Sequence, residues 1–230
     1  MAWRAGPREV VRAPWSSLFL RFQEANDNAA NALLKTLEEA PPYVVLILTA
    51  DGAEGLLPTI ASRCEILRLR PTQLDILETY LKQQGADKEQ ARLLSHISGG
   101  RPGAALRLMQ DPSALASREE KLNELRSLLP ASRLARFAYG EKLARDKDGM
   151  RGVLLLWLSF WRDVLLRAGG ASTALANIDR VQDIESIARR IQLSDARRVV
   201  SDLERSLTRL EANVNARLLV EVLLLDWPKI

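Results

Sequence analysis

The sequence predicts a mainly α-helical protein with a single, partial α/β portion at its N-terminal end. Two observations lead there. Between Asn28 and Arg70, helix-type and strand-type patterns alternate as helix, strand, helix, strand. From Thr72 onward no further convincing strand pattern occurs, and helical stretches are separated by Gly or Pro joints.

Met1–Trp15 contains Arg, Pro and Gly without periodicity, and Leu18–Phe22, apolar but for Arg21, reads as a short strand. An amphipathic helix is expected over Asp27–Glu39. It carries Leu33, Leu34 and Leu37 on one face and stops at Pro41-Pro42. Tyr43–Thr49 is too short for a helix and apolar on both faces, which suits an interior strand of a parallel sheet. Gly55–Ser62, with Pro58 near its start, leads through Arg63 and Cys64 into an expected second strand of this unit, Glu65–Arg70.

Three short helices follow. Thr72–Gln84 has Thr72 as its expected N-cap and Gly85 as its end. Asp87–Ser98 is capped by Asp87 and closed by Gly99-Gly100, and Pro102–Gln110 ends at Asp111-Pro112. Ser113–Leu129, Ser132–Arg145 and Arg151–Ala168 are longer helices, parted by Pro130 and by a polar loop, Asp146–Gly149. After a loose connection over Gly169–Asn177, Val181–Gln192 and Ser194–Asn213 show apolar residues at helical spacing. Asn215–Trp227, nearly continuous in Leu and Val, should lie buried in an all-α bundle. The expected organisation is a partial α/β domain over 1–70, a small helical domain over 71–112 and a helical bundle over 113–230.

Composition narrows the function classes. Net charge is +4, from 33 basic and 29 acidic residues. That excess is compatible with touching nucleic acid without demanding it, because the charges of both signs are interleaved on helix faces. One cysteine, Cys64, leaves no internal disulfide and no cysteine-rich zinc site. With no histidine partner in view it reads as a structural thiol, and the single histidine, His96, as a structural side chain. The most apolar run, Val153–Trp161, is too short to span a bilayer. With no signal-peptide pattern at the start, a cytoplasmic protein is expected.

The combination Asn31-Ala-Leu-Leu-Lys-Thr-Leu-Glu-Glu39, Pro, an apolar strand and then Ser62-Arg-Cys64 resembles the AAA+ subunits of bacterial DNA polymerase III clamp loaders. Ser98-Gly-Gly-Arg-Pro-Gly-Ala-Ala-Leu106 resembles the lid motif of the delta-prime branch of that family. Asn215-Ala-Arg-Leu-Leu219 is similar to the start of its last collar helix. The resemblance implies an incomplete AAA+ (RecA-like) domain that starts inside the family's longer N-terminal part, an N-terminally truncated form. A helical lid and an all-α collar bundle would follow.

It also shows what has been lost. No Gly-rich P-loop is present. The acidic pair that would hold Mg²⁺ falls on Leu20 and Arg21, and the lid arginine that contacts nucleotide falls on Gly103, two residues from Arg101. No cofactor in cis and no intrinsic enzymatic activity are therefore expected. As a holoenzyme component the chain would fall under DNA-directed DNA polymerase, a nucleotidyltransferase. Thr49 occupies the place of the polar sensor residue and is expected to be a relic or a structural hydrogen bonder.

Arg63 has two readings. By resemblance it is an arginine finger reaching ATP-Mg bound by a neighbouring subunit, with Ser62 orienting its turn. On the residues alone it is a surface arginine salt-bridged within its own domain. The implied partners are gamma/tau and delta subunits through the collar, with the sliding clamp and primer–template DNA met indirectly, and no membrane. Two other functions stand beside this one: a fragment of an ATP-hydrolysing motor subunit, and an independent helical DNA-binding domain.

Overall fold

The computed structural model describes residues 15–39, 44–211 and 214–230. The Met1–Pro14 segment, the Pro41-Pro42 stop, Tyr43 and Asn213 lie outside the described residues. The chain divides into two compact units, Met1–Arg70 and Pro71–Ile230.

In the first unit, β1 (Trp15–Phe19) and β2 (Val44–Leu48) form a parallel pair in which Trp15 lies opposite Val44 and Phe19 opposite Leu48. Helix α1 (Asp27–Glu38) lies between them in the chain, and its first turn is closed by Asn26, whose side-chain oxygen accepts from the Ala29 N–H at 2.8 Å. A four-residue helix, α2 (Pro58–Ala61), starts on Pro58 at a position where a missing N–H costs nothing. Phe22, Ala30 and Ile60 are buried, with Leu33, Leu34, Leu37 and Leu48 packed against them.

Three expectations are corrected in this unit. The first strand lies three residues earlier than Leu18–Phe22, because Arg21 takes a left-handed conformation (φ 53°) that turns the chain out of the ladder. β2 is parallel as expected but is covered on one face only: Val44, Leu46 and Leu48 are half-buried while Val45 and Ile47 are exposed, as is Leu18 opposite Ile47. Glu65–Arg70 forms no strand. Among the described residues it pairs with no neighbour, and an extended segment without a ladder leaves its amides to water; Ile66, Leu67 and Leu69 are exposed.

The second unit begins with α3 (Leu74–Gln83), α4 (Lys88–Ile97) and α5 (Pro102–Gln110), which share a core of Leu77, Leu81, Ala91, Leu94 and Ala105. Thr72 is not the cap of α3. Gln73 holds that position without a side-chain bond, and the Thr72 N–H instead donates to the Gly100 carbonyl at 2.7 Å. Asp87 caps α4 as expected, accepting from the Gln90 N–H at 2.8 Å.

The remaining helices are α6 (Pro112–Leu128), α7 (Arg133–Ala144), α8 (Lys147–Ala168), α9 (Val181–Ala188), α10 (Leu193–Glu211) and α11 (Ala216–Leu225). The expected polar loop Asp146–Gly149 is in fact the first turn of α8. Asp146 accepts from the Gly149 N–H at 2.9 Å, so a sequence that looks like a break is a cap. Helix α9 ends at Ala188, short of Gln192.

Trp157 and Trp161 on α8 are fully buried and meet Trp227 edge-on, at ring-centroid separations of 4.9 and 5.8 Å, which ties the end of the chain to the centre of the bundle. Arg136 is buried and spends its guanidinium on five carbonyls: Leu128 and Leu129 at the end of α6, and Leu224, Trp227 and Pro228 around the end of α11, at 2.8–3.2 Å. The orphan carbonyls and negative dipole ends of two helices thus offset the buried charge, with no carboxylate needed.

The connection after α8 is held by Asp163, whose carboxylate accepts from the backbone N–H groups of Ala176 (3.1 Å) and Asn177 (2.7 Å) and from the Asn177 side chain (2.8 Å). The segment that looks loose in sequence is pinned.

Candidate functional site

In open parallel α/β sheets, ligands bind beyond the carboxyl ends of the strands. Here those ends carry Leu20 and Arg21 after β1 and Thr49 after β2. The Arg21 N–H donates to the Thr49 hydroxyl at 3.0 Å, the Thr49 N–H donates to the Phe19 carbonyl at 2.9 Å, and the Phe22 N–H donates to the Thr49 carbonyl at 2.8 Å. Thr49 is a structural hydrogen bonder: it fixes the left-handed turn at Arg21. The Arg21 side chain is paired with Glu24, and Leu20 is exposed. Neither side chain is a ligand for a hard cation. The nearby acid that sequence reasoning passed over, Asp51, accepts from the Gln23 side chain at 3.2 Å.

Arg63 sits on the turn that ends α2. Ser62 and Arg63 converge on one acceptor, the Thr59 carbonyl, which takes the Ser62 hydroxyl at 3.2 Å and an Arg63 terminal nitrogen at 2.9 Å. The Arg63 Nε donates to Glu38 at 2.6 Å, and its other terminal nitrogen pairs with the same carboxylate oxygen. Glu38 is the last residue of α1, where a carboxylate opposes the helix dipole and a guanidinium offsets it.

The within-domain ion pair weighed from the sequence is therefore present. A guanidinium has five N–H donors. After these contacts, each terminal nitrogen keeps one N–H with no partner among the described residues, and the Arg63 side chain is 36% exposed. Glu38 was the residue missed. Its signal was the acidic end of the Leu37-Glu38-Glu39 run, a position that electrostatics leaves in want of a cation.

Cys64 is half-buried against the apolar cluster around Ile60, and burial pushes its thiol pKa up. That suits a structural thiol and not a nucleophile.

The Ser98–Leu106 motif has a conformational basis. Gly100 has φ +73°, and a Cβ there would lie 2.5 Å from the Thr72 carbonyl oxygen, so only glycine fits. Arg101 folds back to donate from Nε to the Ser98 carbonyl at 2.8 Å at the end of α4, while Gly103 lies in open space in the first turn of α5. His96 places Nδ1 2.7 Å from the Leu175 carbonyl, so that nitrogen carries the proton, and the contact joins α4 to the pinned connection after α8.

Among the described residues no group of three or more His, Cys, Asp or Glu side chains is placed to hold a metal, and no helix is long and apolar enough to cross a membrane.

A short parallel α/β element followed by two helical cores fits many kinds of protein, and sequence kinship narrows the class to subunits of DNA polymerase III. The family model described as DNA polymerase III, delta subunit, matches residues 18–73, and the one for the C-terminal part of that subunit matches residues 112–229. The chain belongs to the DNA polymerase III delta-prime subunit family.

It is 30% identical over 202 residues to DNA polymerase III subunit delta' of Bacillus subtilis, covering 86% of this chain and 61% of that protein. It is 32% identical over 183 residues to the subunit of the same name from Escherichia coli, covering 77% and 52%. A replication factor C small subunit of Methanococcus maripaludis is 23% identical over 176 residues, covering 71% and 56%. The chain thus spans about half to three fifths of the length of these relatives.

Proposed function

We propose that this chain acts in DNA replication as a non-hydrolysing clamp-loader subunit, contributing an AAA+ portion, a lid and a collar. In this reading it scaffolds a ring with gamma/tau and delta subunits, helps load the sliding clamp at primer–template DNA, and uses Arg63 to complete the ATP site of a neighbour. It binds no nucleotide itself and contributes to the polymerase only as part of the holoenzyme.

The observation that carries the reading is the contrast between two arginine-bearing turns of the first unit. At the strand ends, Arg21 and Thr49 are committed to local structure and Leu20 is an exposed apolar side chain, so the three offer nothing to a metal–phosphate group. At Arg63 a guanidinium is held rigidly on one side by Glu38 and the Thr59 carbonyl and has spare donors on its terminal nitrogens. A fork pre-organised in this way suits a phosphate oxygen presented from another molecule.

Support for the collar comes from helices α7 and α11, which pack together and leave Leu134, Phe137, Leu218 and Val222 exposed, beside an Arg217–Glu141 pair at 3.8 Å. Apolar side chains at i, i+3 and i, i+4 spacing on two packed helices, rimmed by charge, suit burial against a neighbouring subunit.

The test is Arg63→Ala in a reconstituted loader. The expected result is an unchanged circular dichroism spectrum with DNA-stimulated ATPase reduced several-fold, since a finger acts on the transition state and not on folding. An ATPase rate equal to wild type refutes the assignment.

A further inference from the structure

The apolar face of α10 is built into the bundle through Ala196, Val199, Val200 and Leu203, all buried. Its opposite face repeats with a period of seven. Ser194-Asp195 and Ser201-Asp202 are each followed by an arginine, Arg198 and Arg205, four residues after the serine. Each serine and its arginine therefore lie one helical turn apart on the same face.

Each arginine pairs with the aspartate three residues before it, Arg198 with Asp195 at 3.1 Å and Arg205 with Asp202. These pairs do not neutralise the face evenly. The Asp195 and Asp202 side chains are 35% and 17% exposed, against 52% and 64% for Arg198 and Arg205, so the acids sit close to the helix and the guanidinium groups reach past them. Arg197 lies beside them, exposed and in no ion pair among the described residues. Together Ser194, Arg197, Arg198, Ser201 and Arg205, with Leu193 at one end, line an open concavity of about 490 Å³.

We infer that this face of α10 binds the phosphate backbone of nucleic acid. Guanidinium and hydroxyl groups are the side-chain donors that phosphate oxygens take in such contacts, and they carry no sequence information. Spacing agrees: seven helical residues rise about 10.5 Å, and three nucleotides of a stacked strand rise about 10.2 Å. The two serine–arginine pairs can thus reach phosphates three apart on one strand.

A membrane surface is the poorer partner. A helix that lies in a bilayer interface needs an apolar face to insert, and the apolar face of α10 is already spent on the bundle.

The experiment measures binding of the full chain to a short fluorescein-labelled duplex by anisotropy, over a series of salt concentrations. It compares the wild type with the combined Arg197→Gln, Arg198→Gln and Arg205→Gln variant, and with a number-matched control, Arg92→Gln, Arg145→Gln and Arg217→Gln. The expected result is that the α10 variant loses roughly tenfold or more in low-salt affinity and about two to three from the slope of log K against log salt, while the control keeps both; each lost phosphate contact removes about 0.9 from that slope.

Ser201→Ala, which leaves every charge in place, is expected to weaken binding a few-fold with the slope unchanged. Equal loss in the α10 variant and the control, no duplex binding at low salt, or binding by wild type to anionic lipid vesicles alone would each overturn the inference.

Discussion

The first unit and the bundle of the second solve the same problem, burying apolar residues around a few polar groups, on very different scales. In the bundle, fully buried Trp157, Trp161, Leu154, Ile184, Leu203 and Leu224 surround two polar devices, Arg136 on five carbonyls and Asp163 on the 176–177 backbone. Among the described residues of the first unit, three buried side chains form the centre of the core and one sheet face is left exposed. The Asn31–Glu39 and Ser62–Cys64 motifs sit in the less buried unit, while the longer family match, over residues 112–229, falls in the other.

The largest expected effect lies at Arg136. Arg136→Met removes the guanidinium donors from the Leu224, Trp227 and Pro228 carbonyls and one donor each from the Leu128 and Leu129 carbonyls, which keep the N–H groups of Ala131 (3.3 Å) and Ile230 (3.4 Å). The loss should be about 3–5 kcal/mol, the range for breaking a buried charge network. It is read as a lowered urea midpoint with an unchanged m-value in tryptophan fluorescence, since Trp157, Trp161 and Trp227 lie in the same core. A change under 1 kcal/mol would mean that water replaces the guanidinium, and the bundle would not be the rigid partner in this comparison.

Two equal lesions sharpen the contrast further. Ile60→Ala and Leu203→Ala each delete a fully buried branched side chain, and each should cost about 2–4 kcal/mol. The expected consequences differ because the reserves differ. Limited proteolysis with mass spectrometry should show Ile60→Ala opening cut sites within residues 15–70, whereas Leu203→Ala leaves the sites within residues 113–230 protected. Equal protection of both regions would show that the smaller core is not the weaker one.

Much of this architecture was legible because its signals are local. Asp87 as a cap, the Gly99-Gly100 stop and the apolar periods of α9 and α10 are set by neighbours within one or two turns. The failures share a cause. The Asp146–Gly149 segment reads as a loop by composition, yet its aspartate caps α8. Glu65–Arg70 has the alternation of a strand but gains no ladder partner among the described residues.

At the candidate site, Arg63, Ser62 and Thr49 could be placed from motif alone. Their partners could not: Glu38 lies 25 residues from Arg63, and Thr49 lies 28 from the amide it holds. Arg136 gave no signal, since an arginine on an amphipathic helix looks solvated until the carbonyls that take it are known.

The smallest effect tests whether polar contacts between bundle helices matter as the buried ones do. Tyr139 on α7 donates its hydroxyl to Glu124 on α6 at 2.7 Å, and Lys121 donates to the same carboxylate at 2.9 Å. Burial and this hydrogen bond raise the Tyr139 pKa, so the phenol stays a donor throughout the neutral range. For Glu124, burial alone would raise the pKa, but the bonds from Tyr139 and Lys121 outweigh it and the value is lowered. A carboxylate with a depressed native pKa contributes stability that is present above its unfolded value and lost as pH falls through the native one. Tyr139→Phe should therefore cost about 1.5–3 kcal/mol at pH 7, as expected for a hydrogen bond to a charged group. The difference from wild type should shrink in acid, as Glu124 takes up its proton in both proteins. Urea denaturation at pH 7 and pH 3.5 checks this. A difference that holds steady across that range would assign the loss to the packing of Tyr139 against Trp157, whose ring centroid is 5.9 Å away, and not to the carboxylate.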